Sequence, residues 1–175
     1  MNIPNILTIF RILLVPVFIV FVIDDNLLMA MVIFILAGIT DGLDGFIARI
    51  FNQRTVIGTY LDPIADKMLL ISAYLSLTIK GILPGWLSVV VVSRDIIILA
   101  GIAVISLMGK GLDVRPSILS KITTVFQIST IIIALSSLKQ YSAFWNSLII
   151  LTTVFTIFSG LQYMYRGVKA MGDIE

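Results

Sequence analysis

The 175-residue sequence contains no cysteine and no histidine. Without cysteine there are no disulfides and no thiolate zinc sites. Without histidine there is no serine–histidine hydrolysis, and any acid–base work falls to carboxylates. Charge is also scarce: 13% of residues are charged against 59% hydrophobic, and the formal net charge is only +2. So small a balance gives no reason to expect a nucleic-acid partner. The excess of apolar residues over charged ones is far outside the range of soluble domains and reads as a polytopic membrane protein.

Apolar runs near the roughly 20 residues needed to cross a bilayer can be drawn as six helices: Asn5 to Ile23, Leu27 to Arg49, Thr59 to Ile79, Leu83 to Met108, Ser117 to Leu138 and Ser142 to Tyr165. The intervening loops are short. The expected fold is therefore an all-α, compact bundle of six transmembrane helices, a single domain over residues 1–175, with no internal repeat or linker. The first run has no lysine-rich leader and no small-residue cleavage site before Asp24, so it is expected to stay in place as a span. With the N-terminus in the cytoplasm, Arg11, Arg49, Arg54, Lys67, Lys110, Arg115, Lys121, Arg166 and Lys169 all fall at or near cytoplasmic ends. Lys80 and Lys139 fall outside, with Asp24 and Asp25 in the first external loop. That is a positive-inside bias.

Against this background one stretch stands out, DGLDGFIARIFNQRTVIGTYLDPIAD from Asp41 to Asp66, which holds four aspartates, two arginines and three glycines. Asp41 and Asp44 are three residues apart, Asp62 and Asp66 four apart, and both spacings make helical neighbours. If one helix ends near Arg49 and the next opens near Gly58, the hairpin directs all four carboxylates into one space. Each charge at the middle of a bilayer costs about 2.5 to 3.5 kcal/mol on insertion scales, and four like charges repel one another. A cation must neutralise them. Arg49 offsets only part of the charge, and an oxygen-only donor set suits hard ions such as Mg2+ or Mn2+. The pattern points to a divalent metal site, with room for two ions, over a phosphate-containing substrate. Gly42, Gly45 and Ala48, at three-residue steps, leave a shallow surface where a ligand or another helix can come close. Pro63 is compatible either with the first turn of a helix or with a mild kink inside one.

The nine positions Asp41, Gly42, Asp44, Gly45, Ala48, Arg49, Gly58, Asp62 and Asp66, at these spacings, resemble the signature of the CDP-alcohol phosphatidyltransferases. The resemblance implies that Asp41, Asp44 and Asp62 are metal ligands for two divalent cations that grip the diphosphate of a CDP-linked lipid. It implies that Asp66 is the general base and shares in metal binding, and that Gly42, Gly45, Ala48, Arg49 and Gly58 line the nucleotide-diphosphate pocket. It also implies a homodimer, while the positive-inside bias puts the aspartate cluster toward the cytoplasmic side of the lipid bilayer. The lack of histidine sets the chain apart from phospholipase-D-like lipid synthases.

Outside the signature, Asn5, Thr8 and Arg11 share one helical face at three-residue spacing. Capping by Asn5 and interfacial snorkelling by Arg11 would explain them; the resemblance instead implies that Asn5 and Thr8 help hold the cytidine nucleotide. Arg94 and Asp95 fall in mid-span, where ionisable residues face the interior. They read either as a structural pair with interhelical hydrogen bonds, or with Arg94 turned to an anionic acceptor. Lys121, followed by Thr123, Thr124 and Gln127, starts a polar stripe that is either an interhelical seam or, with Arg115, a phosphate clamp. Tyr60, Tyr163, Tyr165 and Trp86 lie near span ends, as in an aromatic belt.

Three basic residues, Arg94, Arg115 and Lys121, favour a phosphate-bearing acceptor. Within the family the first choice is glycerol 3-phosphate, ahead of inositol phosphate or serine, with transfer of a phosphatidyl group from CDP-diacylglycerol and release of CMP. The stretches SRDIIILAG and RPSILSKITTVFQ also resemble the family's cardiolipin synthases, which use phosphatidylglycerol. A transporter or an ion-binding membrane scaffold would share the intramembrane aspartates but release no CMP.

Overall fold

Length and apolarity make helices of these runs, because only a helix satisfies every backbone amide and carbonyl internally where no water is present. The computed structural model describes residues 3–50, 56–107, 117–136 and 142–172, with side chains over 6–43, 64–101, 117–136 and 143–166. Six helices follow one another: α1 (Ile3–Ile23), α2 (Leu27–Ile50), α3 (Val56–Ile79), α4 (Gly85–Leu107), α5 (Ile118–Leu135) and α6 (Ser142–Gly172). No strand occurs among the described residues. Among the described residues three helices are long and apolar enough to cross a membrane, over Ile6–Ile23, Ile118–Leu135 and Ala143–Arg166, and a shorter apolar stretch runs over Leu27–Leu43 in α2. The protein is an integral membrane protein of all-α structure.

Two expectations about helix ends are settled. α3 begins at Val56, so Pro63 lies about two turns inside it rather than in its first turn. Its missing amide leaves the Thr59 carbonyl without the usual helical bond. α6 runs on past Tyr165 to Gly172, because a helix need not stop where its apolar run does.

The chain divides into two compact units, one comprising Met1–Leu83 with Ala134–Ser137, the other Pro84–Ile133 with Leu138–Glu175. In the first, α1 packs along both α2 and α3, and α2 and α3 touch each other less. Ala30, Ala37, Ala65 and Ala73 are fully buried, and small side chains of this kind let helices approach closely. Phe18 and Phe34 meet at 5.9 Å between them. The α1–α2 turn places Asp25 at φ 58°, a left-handed conformation that aspartate tolerates. Asn26 then caps α2, its Oδ1 accepting from the Met29 amide at 3.2 Å. At the turn after α3, Gly81, φ 69°, ends the helix with the Ile82 amide donating to the Leu77 carbonyl. Lys80 Nζ donates to Asp25 Oδ1 at 2.7 Å and ties these two turns together. Since both turns lie at one end, the start of α1, the end of α2 and the start of α3 share the opposite end. That end holds the aspartate-rich stretch.

In the second unit α4 packs against α6. α5 and α6 are joined by hydroxyls: Thr123 Oγ1 donates to the Phe155 carbonyl at 3.0 Å, and Thr130 and Thr152 meet at 2.8 Å. The Phe126 and Phe155 rings stack at 4.8 Å beside them. The polar stripe of α5 is thus an interhelical seam over Thr123 to Thr130. Large apolar side chains such as Leu13, Leu28, Val89, Val125 and Phe158 are exposed, as a lipid-facing surface requires.

Candidate active site

α2 is one continuous helix through Asp41 and Asp44, and α3 is continuous through Asp62 and Asp66. Each pair therefore occupies neighbouring positions on its helix, as the spacing predicts. Asp41 and Asp66 are the two whose side chains are described. Asp41 is half-exposed, and Asp66 is intermediate in burial on the turn that also buries Ala65 and Leu69. The side chains of Asp44, Arg49, Asp62 and Asn5, and the surroundings of Gly45, Ala48 and Gly58, lie outside the described side chains; Arg115 lies outside the described residues.

Gly42 follows Asp41 directly, and a Cβ built on it would meet no described atom within 4 Å. Nothing in the described protein requires glycine there. Among the described atoms, this leaves room beside Asp41. The signature offers carboxylate oxygens as donors, and the chain has no cysteine thiolate and no imidazole. That donor set fits a hard divalent cation.

Arg11 does not snorkel to the interface. It is 1% exposed, and its Nη1 lies 2.7 Å from Asp41 Oδ1. Thr8, one turn earlier on α1, is completely buried. The three-residue spacing of Asn5, Thr8 and Arg11 already put Arg11 on this face; the partner helix could not be read from spacing.

Arg94, on α4, sits in a second polar cluster. Its Nη1 donates to Asp95 Oδ1 at 2.7 Å, and its Nη2 donates to Ser120 Oγ at 2.7 Å and to Ser159 Oγ at 2.8 Å. The Tyr163 ring lies 6.0 Å from its guanidinium carbon, so this tyrosine accompanies a buried cation. Trp86 and Tyr165 are exposed. Arg94 thereby joins α4, α5 and α6, and Gly160 passes its side chain closely enough that a Cβ would stand 3.5 Å from Arg94 Cγ. Ser117 caps α5 through the Ser120 amide, at 3.1 Å, and Lys121 comes next, exposed. Ser120, Ser159 and Tyr163 are neighbours of Arg94 that the sequence did not reveal. Serines and a tyrosine in apolar runs carry no signal of which charge they serve.

A family model for the CDP-alcohol phosphatidyltransferases matches residues 1–158. The chain is 37% identical over 176 residues to a CDP-diacylglycerol--glycerol-3-phosphate 3-phosphatidyltransferase of Aquifex aeolicus, covering 97% of each protein. It is 31% identical over 193 residues to the protein of the same name from Bacillus subtilis, again covering 97% of each. It is also 44% identical over 102 residues to the human cardiolipin synthase (CMP-forming), which is 58% of this chain and 34% of that protein. The chain thus spans about a third of the length of that synthase and nearly all of the bacterial relatives.

Proposed function

The chain belongs to the CDP-alcohol phosphatidyltransferase family, and from that premise we propose that it transfers a phosphatidyl group from CDP-diacylglycerol to glycerol 3-phosphate, releasing CMP. The observation that carries this reading is the near-complete, 37% identical relationship to a protein so named, together with the nine-position signature. Asp66 takes the proton of the acceptor hydroxyl. The oxygen forms a bond to the lipid-side phosphorus, and the bond from that phosphorus to CMP breaks, its electron pair leaving with CMP. Asp41, Asp44 and Asp62, with Asp66 sharing, hold two Mg2+ or Mn2+ ions. When bound, these ions supply charge neutralisation on the diphosphate. Asn5, Thr8, Gly42, Gly45, Ala48, Arg49 and Gly58 hold the nucleotide and its diphosphate.

For the acceptor phosphate we infer Arg115 and Lys121 as direct ligands. The Nη groups of Arg94 are engaged with Asp95, Ser120 and Ser159, so Arg94 serves the acceptor by holding α5 at Ser120, next to Lys121. All six helices span the bilayer in this reading, the N-terminus and active site face the cytoplasm, and the protein is a homodimer. The positive-inside bias supports the orientation.

A second acceptor is favoured by one observation, the 44% identity to a cardiolipin synthase over 102 residues. Separate reactions with glycerol 3-phosphate and with phosphatidylglycerol, analysed for lipid products, decide the matter. Phosphatidylglycerophosphate from the first alone is expected. Cardiolipin from the second alone would replace the acceptor but keep the chemistry.

A further inference from the structure

A buried charged side chain outside the signature reaches it from α1. Arg11 is almost completely buried, and its Nη1 stands 2.7 Å from Asp41 Oδ1, while the Asp41 side chain remains 45% exposed. A guanidinium does not shed its charge by losing a proton. Its burial therefore calls for a fixed anion beside it, and Asp41 provides one. The turns that follow Arg11 on α1 bury Leu14, Val15 and Phe18, which anchors its stretch of the helix. One oxygen of Asp41 thus has an ion-pair partner inside the protein, while the side chain stays partly open.

We infer that Arg11 is the positioning residue of the metal-binding carboxylate Asp41, fixing one of its oxygens from α1 so that the ionised group meets a divalent cation in a set orientation. This rests on the metal role proposed above for Asp41. Two effects of Arg11 oppose each other. As a cation near a cation it would weaken metal binding by repulsion, whereas as an orienting partner it strengthens it, and outer partners of metal ligands commonly change affinity about 10- to 100-fold. The sign of the change on removing Arg11 separates the two. A purely structural brace between α1 and α2 would lower stability and leave metal affinity unmoved.

The test uses the full-length protein in detergent, with Mn2+ alone titrated and followed by the EPR signal of the free ion. Arg11→Met is expected to weaken Mn2+ binding on the order of tenfold, and Arg11→Lys to recover part of that loss. In an Asp41→Asn background, Arg11→Met should add nothing further. Unchanged or tighter binding in Arg11→Met, or a full additional loss in the double variant, overturns the inference. If Arg11→Met fails to fold, Arg11→Gln, which keeps length and a donor, is read by the same criteria. Equal Mn2+ binding by wild type and Asp41→Asn would remove the metal role itself, and the inference with it; a failure confined to the Arg11 variants would leave that role standing.

Discussion

Asp66 carries the heaviest chemical assignment of any single residue. It stands one turn after Asp62 on a continuous helix and is partly open to its surroundings. Replacing it by asparagine keeps shape and removes the base. Asp66→Asn should lower turnover by at least about 100-fold, the lower range for losing general-base help, while Mn2+ binding partly survives. Full activity in that variant would remove the assignment.

Arg94 calls for a different measurement. Its pair with Asp95 is buried, and Arg94→Met leaves that aspartate without its cation, a change that typically costs about 3–5 kcal/mol. Denaturant unfolding in detergent should register the loss, and Arg94→Met with Asp95→Leu should recover part of it. An equal loss in single and double variants would show that the pair is not the source. The sequence showed that two charges in mid-span had to face inward. It could not show Ser120 and Ser159, 26 and 65 residues away, because a hydroxyl in an apolar run looks the same whether it bonds its own helix or a distant guanidinium.

Among the helices, α6 illustrates how small residues serve large neighbours. Gly160 lies where an added Cβ would meet Arg94 Cγ at 3.5 Å, an ordinary contact. Gly160→Ala should therefore be nearly neutral, whereas Gly160→Leu should destabilise by about 1–3 kcal/mol through overpacking. Equal effects of the two would mean that Arg94 is not the neighbour that matters. The Thr130–Thr152 contact joins α5 to α6 in parallel with backbone bonds that each helix provides, since Thr130 also donates to the Phe126 carbonyl. Thr152→Val should cost only about 0.6 kcal/mol, the average for interhelical hydrogen bonds in membranes.

All six helices were legible from the apolar runs, although among the described residues only three are long and apolar enough to cross a membrane. Their ends were less so. α3 starts before its apolar run, at Val56, and α6 outlasts its own, to Gly172, since hydropathy reports where lipid ends and not where backbone bonding ends. Proline was ambiguous for a related reason. Pro63 fits a first turn by its fixed φ and also fits an interior position at the loss of one bond, and only the observed start of α3 separates the two.

For the whole molecule, sidedness and chemistry are the two properties at stake. The distribution of lysine and arginine predicts that the α1–α2 turn faces outward and that the start of α5 faces the cytoplasm. The chain has no native cysteine, so single substitutions report cleanly. In sealed vesicles of native orientation, a membrane-impermeant maleimide should label Asp24→Cys at once and Ile118→Cys only after permeabilisation. The reverse pattern would invert the topology. The chemistry was legible at the signature, where nine positions at fixed spacing identify a family. Acceptor choice was not, because it depends on how side chains from separate helices come together and three basic residues do not specify that arrangement.

The most direct test of the central claim is release of CMP from CDP-diacylglycerol by the purified protein, given Mg2+ and glycerol 3-phosphate, beside Asp66→Asn prepared identically. The account predicts CMP from the wild type that requires both the divalent ion and the acceptor, and next to none from the variant. Absence of CMP with glycerol 3-phosphate, with phosphatidylglycerol and with Mn2+ in place of Mg2+ would contradict it.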